Sequence, residues 1–323
     1  MLSKLYAIAW TTFFETIRQP IYSVLLWATF GWLLLAPLLA GYSLQSGNDT
    51  KILIDVGVST MLLYGLLISC FAATGVITRE IESMTAVTVI SKPVGRPTFV
   101  VGKFLGVIAA VSVGYLLLSV VFLMEVRHGV METVSTKYDQ PVLAFGFAAL
   151  GIGLIAATFA NYVYGAHFPT TLLAWVVPGA IVAFFAASFF DKEWDIKAPM
   201  ENLNPQVLFA VASNFCAIGI LTALAVALAT RLSQIVTLVA CGAVFLLGLL
   251  SSYYFGRFAE HDAIRGFLYH VVPNFQFFWF GDAITLNVKI HWDHVVRVAA
   301  YAGLYTLAIL SAGVAMFQTR EVG

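Results

Sequence analysis

Eight apolar runs, each about as long as a membrane-crossing helix, constrain this chain more than any other feature. A helix needs about 20 mostly apolar residues to cross a bilayer. The runs cover roughly 21–42, 56–77, 104–124, 142–163, 169–190, 205–230, 235–255 and 295–317. The 323-residue chain is 60% hydrophobic and 11% charged, whereas soluble domains carry about 25% charged residues. We therefore predict an all-α polytopic membrane protein with about eight transmembrane helices.

The runs leave no room for a soluble domain, so we expect one transmembrane domain over 1–323. The formal net charge is zero, which gives no indication of a nucleic-acid partner. Cys70, Cys216 and Cys241 all fall inside apolar runs. We interpret them as small buried side chains because they lack the spacing of a disulfide framework or metal site.

Residues 1–19 precede the first run and have the pattern of an amphipathic helix. Apolar residues recur at positions 2, 5, 9, 13 and 17, while Lys4, Glu15 and Arg18 fall mainly on the other side. Tyr6 and Trp10 add aromatic rings of the kind found at membrane surfaces. We predict an interfacial helix; the alternative is a cytosolic extension of the first span. We do not expect a cleavable signal, because polar residues occur over about twenty positions before the first run.

The connector between the second and third runs, 78–103, is the most informative polar stretch. It holds four of the seventeen Lys and Arg residues, which do not belong in hydrocarbon. Residues 79–90 contain neither Pro nor Gly and favour a short helix. The following SKPVGRP sequence ends it, because each proline restricts the residue before it. The connector therefore predicts a surface helix and a rigid turn, although about five residues would join two spans.

Eight spans place both termini on one side. That side carries eight of the seventeen basic residues and four of the seventeen acidic residues. Total Lys and Arg counts do not orient the chain, but the positive-inside rule weights short loops near span ends, and the 78–103 connector is the most basic of these. We predict that the connector and both termini are cytoplasmic, in a cytoplasmic or inner membrane, and that the acidic 191–195 segment faces outward.

The longest outer segment, 256–294, is too charged to span. Apolar residues with helical spacing at 264–271 lie beside an aromatic cluster at 275–280. This pattern predicts one or two short helices that lie at the outer surface or dip into the membrane before the last span.

No catalytic constellation is apparent, and we predict no enzymatic activity, metal or cofactor for this chain. The 95–103 sequence GRPTFVVGK has some likeness to a phosphate-binding loop, but six residues separate its glycines instead of four, and Phe104 replaces the Ser or Thr that would hold magnesium. We interpret Lys103 as an interfacial anchor for the third span. His291 and His294 are spaced like two metal ligands, but no third ligand is apparent.

Charged residues are absent from the middle of every run; Asp55, Glu125 and Arg297 lie near ends. Ion-coupled carriers usually need such groups to hold the ion, so their absence argues against that class. Five polar residues are candidates for lining a transport path: Tyr64, Thr74, Tyr115, Asn161 and Asn214. Hydrogen bonding between helices explains each at least as well.

Two pairs of small residues have the spacing that permits close contact between helices. Gly102 and Gly106 open the third span, and Ala149 and Gly153 lie in the fourth. Without large side chains at these positions, a neighbouring backbone can approach closely.

The connector contains three short motifs: TREIE at 78–82, SKPVGR at 91–96 and GKFLG at 102–106. Together they resemble the signature loop of ABC-transporter permeases of the type-2 exporter class, where such a loop follows the second membrane helix. The FQTRE sequence at 317–321, the N-terminal helix and the PNF sequence at 273–275 fit the same layout. The family core has six spans, so the resemblance implies that two spans, the 142–190 hairpin, are additional.

This resemblance implies a permease subunit that couples ATP hydrolysis on a separate ATPase chain to export. The 79–90 helix would be the coupling helix, and its ATPase contacts would be Arg79, Glu80, Glu82, Lys92 and Arg96. The path would form between two permease chains, identical or related. The alternative is an ion-coupled or passive transporter or channel without an ATPase. An intramembrane enzyme would need His, Asp or Glu clustered at one membrane depth, which the sequence does not show.

Overall fold

The computed structural model describes residues 2–40, 49–82, 95–130, 137–200, 204–258, 262–285 and 288–318. Its helices are α1 Leu2–Ile17, α2 Pro20–Ala40, α3 Asp49–Glu82, α4 Arg96–His128, α5 Gln140–Tyr164, α6 Phe168–Ser188, α7 Pro205–Ala229, α8 Gln234–Leu249, α9 Ser251–Tyr254, α10 Ala263–Val271, α11 Gly281–Thr285 and α12 Trp292–Gln318. Two 3₁₀ turns lie at Gly256–Phe258 and Phe275–Phe278. The β-structure within these ranges is a single bridge between Phe190 and Ile196.

Seven of the described helices, α2 to α7 and α12, are long and apolar enough to cross a membrane. An all-α polytopic membrane protein is thus confirmed. The eighth predicted span differs, because α8 has 16 residues and is about 24 Å long, against a hydrocarbon core of about 30 Å. The helix is interrupted at Leu250, whose φ of −95° and ψ of 0° leave the α-helical region, and α9 then continues to Tyr254.

Contacts at the two ends of α8 show that it nevertheless runs from one end of the bundle to the other. Arg231, just before α8, donates from Nε to Met316 O at 2.9 Å, near the end of α12. At its far end, α8 places Gly248 against Phe275 of the 256–294 segment. Helix α12 begins at that far end and ends beside Arg231. The described ends of the chain therefore lie at the same end of the bundle.

The centre of the bundle is formed by α3, α4 and α7, which pack through glycines facing large side chains. Gly57 of α3 lies against the ring of Phe122 of α4. A Ser69–Thr222 hydroxyl pair at 2.7 Å links α3 to α7. Such hydrogen bonds hold helices together where the surrounding lipid supplies no hydrophobic drive for association.

Both predicted pairs of small residues are confirmed as sites of close helix contact. A Cβ added at Gly106 would lie 2.5 Å from Ala9 O, so this face of α4 receives α1. A Cβ added at Gly153 would lie 2.5 Å from Val176 Cγ2, which brings α5 against α6. The α5–α6 hairpin packs mainly on itself, and its main neighbour in the rest of the bundle is α4.

Gly106→Ala should destabilise the protein, although alanine is favoured over glycine in helices by about 1 kcal/mol. The new methyl group would press on the backbone carbonyl of Ala9, which cannot move aside as a flexible side chain can. Overpacking of this kind costs about 1–3 kcal/mol. Gly303→Ala is the matched control, because nothing lies within 4 Å of its added Cβ. Equal melting temperatures for the two variants in detergent would contradict this packing.

The 256–294 segment contains the predicted short helices, α10 and α11 in its described part. Asn274 is buried, and its side-chain oxygen accepts from the amide of Gln276 at 3.0 Å, while its own amide donates to the Tyr301 hydroxyl at 2.8 Å. Phe275 is buried against α8. The aromatic cluster is thus partly inserted into the bundle, and α10 leaves Ile264 and Phe267 exposed.

Candidate functional site

The candidate site is the end of the bundle where α1, the last turn of α3 and the first turns of α4 meet. Its centre is Lys103, which is 3% exposed. The Lys103 ammonium lies 2.7 Å from Glu80 Oε1 of α3 and 3.8 Å from Glu15 Oε2 of α1. It also lies 5.6 Å from the centroid of the Phe99 ring. One buried cation therefore joins three helices at the end that carries the connector.

The interpretation of Lys103 as an interfacial anchor is wrong. Helix α4 begins at Arg96, seven residues earlier than Lys103, so Lys103 lies about two turns inside it. Gly102 and Gly106 let α1 cover this face, since Ile8 and Ala9 pack directly on them. The ammonium is thereby removed from the surface and neutralised by carboxylates from two other helices.

The described part of the connector differs from the expected separate helix. Helix α3 continues without interruption through Thr78 to Glu82, so residues 79–82 extend the second span instead of starting a new element. Most of the predicted coupling helix, and Lys92, lie outside the described residues, as do the side chains of Arg79 and Glu82. Their assignment as ATPase contacts stays a prediction.

Arg96 joins the start of α4 to the end of α12. Its guanidinium donates to Phe317 O at 3.4 Å and to Gln318 O, and it lies 6.0 Å from the Phe317 ring centroid. The Phe317 ring is buried and stacks on Phe99 at 5.4 Å. Two of the five predicted contact residues, Glu80 and Arg96, thus have partners within the chain.

Four of the five path-lining candidates are buried in the bundle, namely Tyr64, Thr74, Tyr115 and Asn214, whereas Asn161 lies exposed at the end of α5. The Tyr115 hydroxyl donates to Val211 O at 2.8 Å, and Asn214 Nδ2 donates to Val58 O at 3.2 Å. These bonds link α4 and α3 to α7. A role in lining a path between two chains stays a prediction.

A cavity of about 1070 Å³ lies beside the Lys103 cluster, which comprises Lys103, Glu15 and Glu80. The sequence does not predict this cavity. It is bounded by α1, α2, α3 and α8, with Trp10, Glu15, Gln19, Gly75 and Gln234 among its lining residues. Gln19 is 8% exposed and rests against Gly75. The hydropathy pattern does not predict this cavity, because its shape depends on the angle between α1 and α2 at Pro20.

No family model matches the sequence, and a search of curated proteins finds no significant match. Among the residues that the structure describes, no three His, Cys, Asp or Glu side chains come together as a potential metal site. The fold defines a polytopic α-helical membrane protein, and its function has to be argued from its own residues.

Proposed function

We propose that this chain is the membrane-spanning permease subunit of an ATP-driven exporter of the ABC type-2 class. It would couple ATP hydrolysis on a separate ATPase subunit to movement of a substrate across the membrane. The observation that carries the proposal is the buried Lys103 cluster, which ties Glu80 at the end of α3 and Glu15 of α1 to α4. A rigid junction at the connector is what force transmission requires, and a simple linking loop does not need one.

The proposal places the junction in the cytoplasm and α1 in the inner leaflet's interface. Leu2, Tyr6 and Trp10 follow one another at helical spacing and are 81%, 66% and 52% exposed. Exposed apolar and aromatic side chains of this kind favour a membrane surface. A neighbouring face of α1 packs on Gly102 and Gly106, so α1 would follow any movement of α4.

The connector residues then divide into two roles. Arg79, Glu82 and Lys92 would contact the ATPase directly in the 79–90 coupling helix and the turn after it. Glu80 and Arg96 would act as positioning residues, since they bond to Lys103 and to the end of α12. Two permease chains, identical or related, would enclose the transport path.

Charge reversal at the connector tests this assignment. Glu82→Lys combined with Lys92→Glu should reduce co-purification of the ATPase, and its turnover in the complex, by about tenfold or more, because charged interface contacts become repulsive. Glu193→Lys is the matched control, since Glu193 is a half-exposed carboxylate at the opposite end of the bundle. Unchanged ATPase binding and turnover in the connector variant would contradict the proposal.

Thiol labelling measures on which side of the membrane the 78–103 connector lies. A membrane-impermeant thiol reagent should label Ser83→Cys only after spheroplasts are permeabilised, whereas Val288→Cys, exposed at the opposite end, should react in intact spheroplasts. Labelling of Ser83→Cys from outside would place the connector on the wrong side for an ATPase.

One observation favours the alternative of an ion-coupled transporter. Glu125, near the end of the third run, is 6% exposed in α4, and a membrane-buried carboxyl can serve as a proton or ion site. Substrate uptake by liposomes that contain the purified chain alone, driven by a proton gradient without ATP, would support this class.

A further inference from the structure

A second cavity, of about 540 Å³, lies at the end of α4 opposite Lys103, between α2, α4, α5 and α6. Its walls are mainly apolar, with Phe30, Pro37, Val121 and Phe147 among them. Leu34 and Leu38 of α2 also line it and are exposed on the outside of the bundle. A volume of about 300–1000 Å³ is typical of small-molecule sites.

Glu125 lies in the wall of this cavity and is almost completely buried, at 6% exposure. Neither of its carboxyl oxygens has a hydrogen-bond partner among the residues that the structure describes. A buried polar group without a partner is costly, whether it is an ionised carboxylate or a neutral acid with an unused O–H. Both carboxyl oxygens of Glu125 could therefore accept hydrogen bonds from the N–H groups of a ligand.

The surrounding basic side chains are engaged elsewhere. Arg127 donates to Asp139 Oδ2 at 3.0 Å and to Phe190 O at 2.8 Å. His128, which shares the cavity wall, accepts the Asp139 amide at Nδ1 over 3.3 Å. Lys192 donates to the main-chain oxygen of His128 at 3.4 Å.

We propose that this cavity binds a hydrophobic amine: a ligand with an apolar body and a protonated amino group that donates to Glu125. The apolar walls would hold the body, and a charge-assisted N–H···O bond would satisfy the carboxylate. The ligand would enter laterally between α2 and α5. This site does not depend on the ATPase proposal, because it lies at the other end of the bundle and its described walls come from one chain.

Two compounds of nearly equal shape test the charge requirement. Purified protein in phosphatidylcholine nanodiscs should bind 1-adamantanamine at least about tenfold more tightly than the neutral 1-adamantanol at pH 7. Glu125→Gln should bring the two affinities to within about twofold of each other by weakening only the amine. Glu193→Gln, a matched carboxyl at the same end but outside the cavity, should behave like the wild type.

A filling variant keeps the proposal testable if Glu125→Gln fails to fold. Gly146 lines the cavity, and Gly146→Leu should weaken both compounds about equally while leaving Glu125 in place. Equal affinity of the two compounds for the wild type would overturn the proposal and indicate a site for apolar chains. Loss of adamantanamine binding when phosphatidylethanolamine replaces phosphatidylcholine would support the proposal and identify a lipid amine as the occupant, because only the ethanolamine headgroup carries N–H donors.

Discussion

Lys103→Met is expected to lower the free energy of unfolding by about 2–4 kcal/mol. Removing one partner of a buried ion pair costs about 3–5 kcal/mol, and the value is reduced here because Glu80 and Glu15 are 24% and 35% exposed. The methylene stem is largely preserved by methionine, so the effect reports the missing ammonium. Unfolding in mixed micelles measures it.

Two further variants test whether the lower free energy of unfolding of Lys103→Met comes from the missing buried ammonium. Lys137→Met removes a lysine that is 69% exposed and paired with Glu193, and it should cost less than about 1 kcal/mol, as exposed pairs do. Adding Glu80→Gln to Lys103→Met should restore part of the stability, because a neutral amide replaces a carboxylate that has lost the Lys103 ammonium. If Lys103→Met and Lys137→Met are equally stable, Lys103 does not join the three helices.

Asp139→Ala should produce the second large effect, about 3 kcal/mol. Asp139 is 1% exposed and performs two functions: it accepts the Val142 amide at 3.1 Å as the N-cap of α5, and it pairs with Arg127 at 3.0 Å. Loss of an N-cap costs about 1 kcal/mol, and the remainder is the cost of leaving Arg127, 9% exposed, without its carboxylate. Arg127 keeps the Phe190 carbonyl as an acceptor, which limits the loss.

Asp262→Ala is the matched control for Asp139→Ala. Asp262 caps α10 by accepting the Ile264 amide at 2.9 Å and also pairs with an arginine, Arg265, but it is 43% exposed. Its replacement should cost about 1 kcal/mol or less. Hydrogen exchange should locate the effect of Asp139→Ala in the start of α5 and the end of α6. Similar losses for both variants would show that burial of the Arg127–Asp139 pair is unimportant.

Hydropathy and residue spacing predicted the helical membrane architecture, because each span needs only its own sequence to be apolar. They also predicted the close contacts at Gly106 and Gly153, since small residues at this spacing suit only a few packings. The partners in those contacts could not be predicted. Nothing near Gly106 in the sequence indicates that it receives α1, which lies about ninety residues earlier.

The candidate site depends on such distant pairings and was therefore harder to predict. The sequence predicts Lys103 as an interfacial anchor for the third span, but its burial depends on Glu15 and Glu80 from two other helices. Glu125 was recognised as lying near a span end, whereas its burial depends on α2, α5 and α6 closing around it. A charged residue near a span end is usually exposed, so only the assembled bundle distinguishes these two positions.

Helix α3 has one further consequence for how motion could travel. It is a single 34-residue helix, about 51 Å long, with Glu80 in its last turn and Asp55 against Gly281 near the far end. Its bonds to α7 run from Val58 to Thr78, so we expect α3 and α7 to tilt together as one unit. A tilt of about 10° about the middle of α3 would displace its two ends by about 4 Å in opposite directions. A displacement of the Glu80 end of α3 would thus be transmitted along the helix to the Gly281 segment at its other end.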